Sequence, residues 1–196
     1  MYNPVADKKS IVCGKDYRFT VLTSQLIRLE YAKDGKFEDR KTQSVVNRLF
    51  PVPDYKLIKK DGTIKIETDS LRLTYRGGEF SKNTLSISFC GRLGKYPSVW
   101  YFGDVPKALP GTNRTLDGVS GSNDMPKSIM SQNSFGIMDD SHTLAQTSDN
   151  WVEVRDEEKI DMYVFAYPKE YADIYDSYAD KLIADLKFPI DVIEIE

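Results

Sequence analysis

The chain has 196 residues, 40% of them hydrophobic and 29% charged, with 27 Lys and Arg against 30 Asp and Glu, for a net charge of −3. That length fits one globular domain with a full core and excludes two domains of ordinary size, and the charge balance offers no basic excess for bulk nucleic-acid binding. No run approaches the roughly 18–20 apolar residues of a membrane span, and the first ten residues lack the apolar core of a signal peptide.

Most of the chain reads as short strands broken by turn signals. Tyr17–Leu22 and Leu26–Tyr31 are rich in β-branched and aromatic residues. In the second run Leu26, Arg28 and Glu30 interleave with Ile27, Leu29 and Tyr31, a period of two that puts one apolar set on one face. Asp34-Gly35 marks a tight turn, and Thr42–Phe50 reads as a further strand closed by Pro51 and Pro53. Tyr55–Lys59, Asp61-Gly62 and Thr63–Thr68 spell a hairpin. Leu71–Tyr75, ended by Gly77-Gly78, and Thr84–Phe89 follow. Strands at this spacing predict a mainly β protein, an antiparallel β-sandwich.

From Gly103 to Ser134 the chain is rich in Gly, Pro, Asn, Ser and Asp and has little periodicity. Loops this long are uncommon in compact domains, and they are either functional or mobile surface excursions. Strands resume at Ile137-Met138, at Trp151–Arg155 and, as a continuous apolar run, at Ile160–Tyr167. Beyond Pro168 the period changes. Tyr171, Ile174, Tyr175, Tyr178, Leu182 and Leu186 form a helical stripe, predicting one helix near 169–187 and a short strand at Ile190–Ile195. Residues 1–168 then form the sandwich domain and 169–196 the opening of a different unit. An unpaired, apolar Ile190–Ile195 would pair with a sheet edge or drive homo-oligomer formation.

The residues with chemistry are few. Cys13 and Cys90, far apart and in no CxxC spacing, read as buried thiols, and the single histidine, His142, fits neither a His-based metal site nor a Ser–His–Asp triad. No metal or cofactor is expected, and a reducing, cytoplasmic setting is favoured. Asp139 and Asp140 are adjacent, so on a strand they point to opposite faces and cannot flank one glycosidic bond; hydrogen bonding at a strand end suits them better. Asp156-Glu157-Glu158 reads as a solvated turn.

The remaining cluster mixes rings with polar groups. Trp100-Tyr101-Phe102-Gly103-Asp104 leads into Gly111-Thr112-Asn113-Arg114-Thr115-Leu116-Asp117-Gly118. Aromatic platforms with Asn, Arg and Asp suit a sugar site, and the plainer reading makes Trp100, Tyr101 and Phe102 a core strand.

Together with Gly136-Ile137-Met138-Asp139-Asp140-Ser141, this cluster resembles the N-terminal region of glycoside hydrolase family 31, the α-glucosidase and α-xylosidase family. Tyr17–Thr23, Leu26–Tyr31, Val45-Val46-Asn47-Arg48 and Pro51-Val52-Pro53 fit in the same order, so the resemblance runs from about residue 15 to 168. It implies a galactose-mutarotase-like sandwich that precedes a (β/α)₈ barrel in a retaining α-glycoside hydrolase. The two catalytic aspartates would lie on that barrel, which needs about 250 residues, so this chain alone is expected to be inactive. The Gly103–Ser134 excursion would be the loop that shapes the substrate pocket. Asp117, Arg114, Asn113 and Trp100 are its candidate contacts to an oligosaccharide or α-glycoside. The implied partners are that substrate and the barrel of the same enzyme, with neither nucleic acid nor membrane. A free-standing carbohydrate-binding module using Trp100, Trp151 and the loop is the alternative. A mutarotase-like activity of its own is disfavoured, because it needs a positioned acid–base pair.

Overall fold

A computed structural model describes residues 2–90, 99–110, 127–131, 135–149, 151–155 and 158–167. A 3₁₀ turn at Lys8–Ser10, capped by the Asp7 side chain, leads into fourteen described strands. They are β1 (Ile11–Cys13), β2 (Tyr17–Val21), β3 (Leu26–Tyr31), β4 (Lys56–Lys60), β5 (Thr63–Glu67), β6 (Leu71–Tyr75) and β7 (Leu85–Phe89). Then come β8 (Val99–Tyr101), β9 (Ala108–Pro110), β10 (Lys127–Ser131), β11 (Phe135–Asp139), β12 (Ala145–Gln146), β13 (Val152–Glu153) and β14 (Ile160–Ala166).

Two five-stranded sheets carry the fold, with orders β1-β2-β3-β14-β11 and β4-β5-β6-β7-β8, and every described pairing is antiparallel. The second is a plain meander. Asp61 and Gly62 both take positive φ (49° and 72°), which a two-residue hairpin turn requires if its twist is to match the strands. In the first sheet β14 returns to lie between β3 and β11, so Ile27 pairs with Val164 across most of the chain's length.

The inner faces share one core. Phe19, Val21, Ile27, Leu29, Tyr31, Phe135 and Val164 from one sheet meet Ile66, Leu71, Leu73, Tyr75, Leu85, Ile87, Phe89 and Trp100 from the other. Aromatic pairs bridge the gap: Phe89 stacks on Phe135 with centroids 4.5 Å apart, and Phe19 meets Tyr75 edge-on at 5.3 Å. This is the antiparallel sandwich expected from the sequence.

Several local expectations are corrected. Thr42–Phe50 is not a strand: Thr42 alone bridges to Ala145, and the segment crosses the outer face of the β2-β3-β14 sheet, where its side chains serve as hydrogen-bonding partners. The two polar residues of β3 do not face water, because residues 37–50 form a strap over them, with Arg28 donating to the Glu38 carbonyl, and all six positions of β3 are buried. Trp151–Arg155 shrinks to the two-residue β13, paired with β12, with Trp151, Val152 and Val154 left exposed. The Gly103–Ser134 excursion contains a pairing of β9 with β10, joining residues about twenty positions apart that no local pattern announces. Cys13 and Cys90 are both exposed: Cys13 ends β1 and Cys90 directly follows β7, each on the outward side of the alternation. The helix near 169–187 and the strand Ile190–Ile195 lie outside the described residues.

Candidate functional site

The outer face of the β2-β3-β14 sheet holds a buried ionic network, and strand register explains it. Arg18 sits opposite Glu30, Glu30 opposite Asp161, and Arg28 opposite Tyr163. Two carboxylates placed side by side repel unless cations join them. Arg28 does this: its Nη2 lies 3.1 Å from Glu30 Oε1 and 2.6 Å from Asp161 Oδ2. Arg18 holds Glu30 from the other side, with Nε donating to Oε2 at 2.6 Å and Nη2 to Oε1 at 2.8 Å. Arg155 Nη2 donates to Asp161 Oδ2 at 2.6 Å. Guanidinium groups suit this work because their planar fork meets a carboxylate with two bonds.

The strap closes the network. The Glu38 carbonyl accepts from Arg18 and from Arg28, at 3.0 and 2.8 Å. Arg48 is buried and donates to the Tyr163 hydroxyl at 2.6 Å and to the carbonyls of Pro4 and Arg40. Its Nη2 has no hydrogen-bond partner, alone among the buried side-chain nitrogens and oxygens of the described residues, and lies 3.9 Å from Asp140 Oδ2. Asp140, fully buried, accepts from the hydroxyls of Thr42 and Thr143. Asp139 turns the other way and accepts from the Ser141 backbone N–H and hydroxyl at 3.0 and 2.6 Å. The strand-end role expected for this adjacent pair is what the structure shows.

Charge state follows from these surroundings. Burial pushes the Asp161 carboxyl up, and Arg28 with Arg155 and Arg48 more than reverses this, holding it to about 2. Burial likewise raises Glu38, and its hydrogen bonds with Arg40 bring it down to about 2. Glu30 and Asp140 end raised: burial dominates, and the neighbouring Asp161 adds to it. Burial carries the Tyr163 hydroxyl well above its usual range.

Beside the network opens a cavity of about 390 Å³, lined by Glu30, Phe37, Glu38, Arg40, Arg155 and Lys159 among others. Its charges are mutually engaged. Arg40 bonds Glu38 and Glu153, and Lys159 lies 3.1 Å from Asp34. The described carboxylates that line it, Glu30, Glu38 and Glu153, are each engaged by an arginine. Among the described residues no group of three or more His, Cys, Asp and Glu could hold a metal, and no helix is long and apolar enough to cross a membrane.

The candidate sugar contacts fall elsewhere. Asn113, Arg114 and Asp117 lie outside the described residues. Trp100 lies in the core with no exposed surface, and its indole N–H donates to the Asp104 carbonyl at 2.9 Å. As placed, its ring offers no face to a ligand, and the core-strand reading of that aromatic run holds for it. Of the aromatic residues weighed above for sugar contact, Tyr101 and Trp151 are exposed, at 41% and 73%. Sequence reasoning missed the network itself. Its arginines and acids looked like solvated charges, and the only local signal was their position on strands with an apolar face.

No family model matches the sequence, and no curated protein matches it. Among solved structures the chain is similar to a GH31 dextranase of Flavobacterium johnsoniae complexed with glucose, at 11% identity over 81% of this chain and 25% of that one, with a TM-score of 0.41. It is also similar to a mutant of that dextranase complexed with isomaltotriose, at 13% identity, the same coverage and a TM-score of 0.42. The chain spans about a quarter of the length of these two structures.

Proposed function

We propose that this chain is the non-catalytic β-sandwich domain of a retaining, α-glucosidase-like glycoside hydrolase. Its 103–134 segment shapes the substrate pocket of a catalytic barrel, with Asn113, Arg114 and Asp117 binding sugar hydroxyls. One observation carries the reading. The scattered runs on which the family resemblance rests supply Arg18, Arg28, Glu30, Arg48 and Asp140, and these converge in one buried network. That network engages Glu30 and Asp140, two acids of the resemblance, in a structural role, so they support a scaffold. Trp100 takes a positioning role here, since its bond to the Asp104 carbonyl anchors the start of the excursion in the core.

The test has two arms. The isolated chain is assayed on p-nitrophenyl α-glucoside and α-xyloside, where turnover at the buffer rate is expected. Turnover abolished by replacing any one aspartate would overturn the reading. In the enzyme that carries this domain, Asp117→Ala should raise KM and lower kcat/KM modestly, because a binding contact is lost and the nucleophile is kept. Unchanged kinetics with a lower Tm would reject the sugar contact.

The exposed Trp151 favours a second reading, a free-standing carbohydrate-binding module. Retention of the isolated chain on an α-glucan gel, lost in Trp151→Ala, would select it.

A further inference from the structure

The two sheets treat their outward charges in opposite ways. On the β2-β3-β14 sheet every outward arginine is ion-paired and covered. On the other sheet the outward positions can be read from register and burial. Ile64, Ile66, Leu71, Leu73, Leu85 and Ile87 point inward, so Lys65, Glu67, Arg72, Thr74, Ser86 and Ser88 point out. Pairing adds Lys56 opposite Glu67, Lys60 opposite Thr63, Val99 opposite Ser88 and Tyr101 opposite Ser86. Arg76, just past β6, continues the row.

This face therefore carries five cations, Lys56, Lys60, Lys65, Arg72 and Arg76, against the single carboxylate Glu67, in a chain whose net charge is −3. The side chains of Lys56, Lys60, Lys65 and Arg72 make no hydrogen bond or ion pair among the described residues, and Arg76 donates only to the Asn83 carbonyl. The cations on β4, β5 and β6 flank a floor of small hydroxyl side chains, Thr74, Ser86 and Ser88, and Tyr101 borders that floor on the far strand. Neighbouring strands lie about 4.8 Å apart and successive outward residues about 7 Å apart, so Thr74, Ser86 and Ser88 form a low, flat patch about the size of one sugar ring beside the cations.

We propose that this face binds an anionic polysaccharide, a pyranose chain bearing carboxylate or sulfate groups. Lysine and arginine meet its charges, Thr74, Ser86 and Ser88 exchange hydrogen bonds with its hydroxyls, and the Tyr101 ring packs on a sugar face. Charge complementarity selects a polyanion, and the shape of the face selects among polyanions. Duplex DNA is read by an element that enters a groove, which a flat sheet face does not provide. Single-stranded nucleic acid is held by a series of stacking aromatics, and this face has one. The inference does not rest on the proposed function, and it holds or fails on this sheet alone.

The probe is polygalacturonate, titrated into the full chain at low salt beside neutral dextran and single-stranded DNA. Polygalacturonate should bind, weaken as salt rises, and bind at least about tenfold more tightly than dextran. The double variant Lys65→Glu/Arg72→Glu should lose at least about tenfold in affinity, with an unchanged urea midpoint because both side chains are exposed. Lys65→Gln/Arg72→Gln serves if the charge reversal lowers the midpoint. Equal binding by wild type and either folded variant, equal binding of dextran, or tighter binding of single-stranded DNA through the same residues would each overturn the proposal.

Discussion

Arg28 and Asp161 stand 133 residues apart in the chain and meet as a two-bond pair on buried strands, Nε to Oδ1 at 2.7 Å and Nη2 to Oδ2 at 2.6 Å. The pair fastens β3 to β14, the two strands between which the first sheet closes across the sequence. Removing one member leaves the other charged and buried, which typically costs about 3–5 kcal/mol, whereas an apolar pair of similar size can be near neutral. Arg28→Met and Asp161→Leu should each lower stability by about that amount in urea unfolding, and the double variant should cost clearly less than their sum. Strict additivity would show that the two side chains do not act together.

Acid should unfold the protein in a defined window. Asp161 and Glu38 are held to about 2. The unfolded chain binds protons to these groups near pH 4 while the folded chain does not, so their contribution is fully present above about 4 and is lost as pH falls through about 2. Glu30 and Asp140 act in the opposite sense: being raised, they take up protons first in the folded state and favour it as pH falls below their folded values. Urea midpoints measured from pH 6 to pH 2 should therefore drop mainly between pH 4 and 2. Asp161→Asn should flatten that drop while lowering stability at neutral pH. A variant profile parallel to wild type would remove Asp161 as its source.

How much of this was legible in the sequence depends on distance along the chain. Leu71–Tyr75 was readable residue for residue, because alternation within one strand records which face meets the core, whereas in Leu26–Tyr31 the alternation placed the strand and its core-facing side but not the burial of the other side. The Asp61-Gly62 hairpin was readable because its turn chemistry is local. Arg28 and Glu30 carried the same period but looked solvated, since the groups that bury them, Glu38 of the strap and Asp161 of β14, are fixed only by tertiary pairing. β9 and β10 were invisible for the same reason, and β1 was too short to form a pattern. Trp100 had a sound sugar-site chemistry and an equally sound core reading, and only the packing of β8 under Phe102 decided between them.

Gly136 tests the approach of two backbones. It lies on β11 opposite Phe165, and a Cβ there would collide with the Ile129 carbonyl and come within 2.5 Å of the Tyr167 hydroxyl. That hydroxyl already donates to the Ile129 carbonyl, so neither group can retreat without breaking the bond. Gly136→Ala should cost about 1–3 kcal/mol, the usual range for overpacking. Gly78→Ala is the control: its site is open and its φ is 79°, so only the left-handed backbone resists, at about 1–2 kcal/mol. Tyr167→Phe in the Gly136→Ala background should recover part of the loss, and no recovery would place the collision on the carbonyl alone.

The two tryptophans should report separately on core and surface. Trp100 has no exposed surface and bonds a backbone carbonyl, while Trp151 is 73% exposed at the β12–β13 turn. In Trp151→Phe the remaining emission should be blue-shifted and resistant to acrylamide. In Trp100→Phe it should be red-shifted and readily quenched. Trp100→Phe should also destabilise the chain, because a buried ring shrinks and the Asp104 carbonyl loses its donor, a change of about 1–3 kcal/mol. Trp151→Phe should leave the urea midpoint unchanged. Adding an α-glucoside to the isolated chain should leave the Trp100 emission where it was, since no face of that ring is available for stacking. A shift in the Trp151→Phe background would mean that β8 opens to admit sugar, and would return Trp100 to the binding surface.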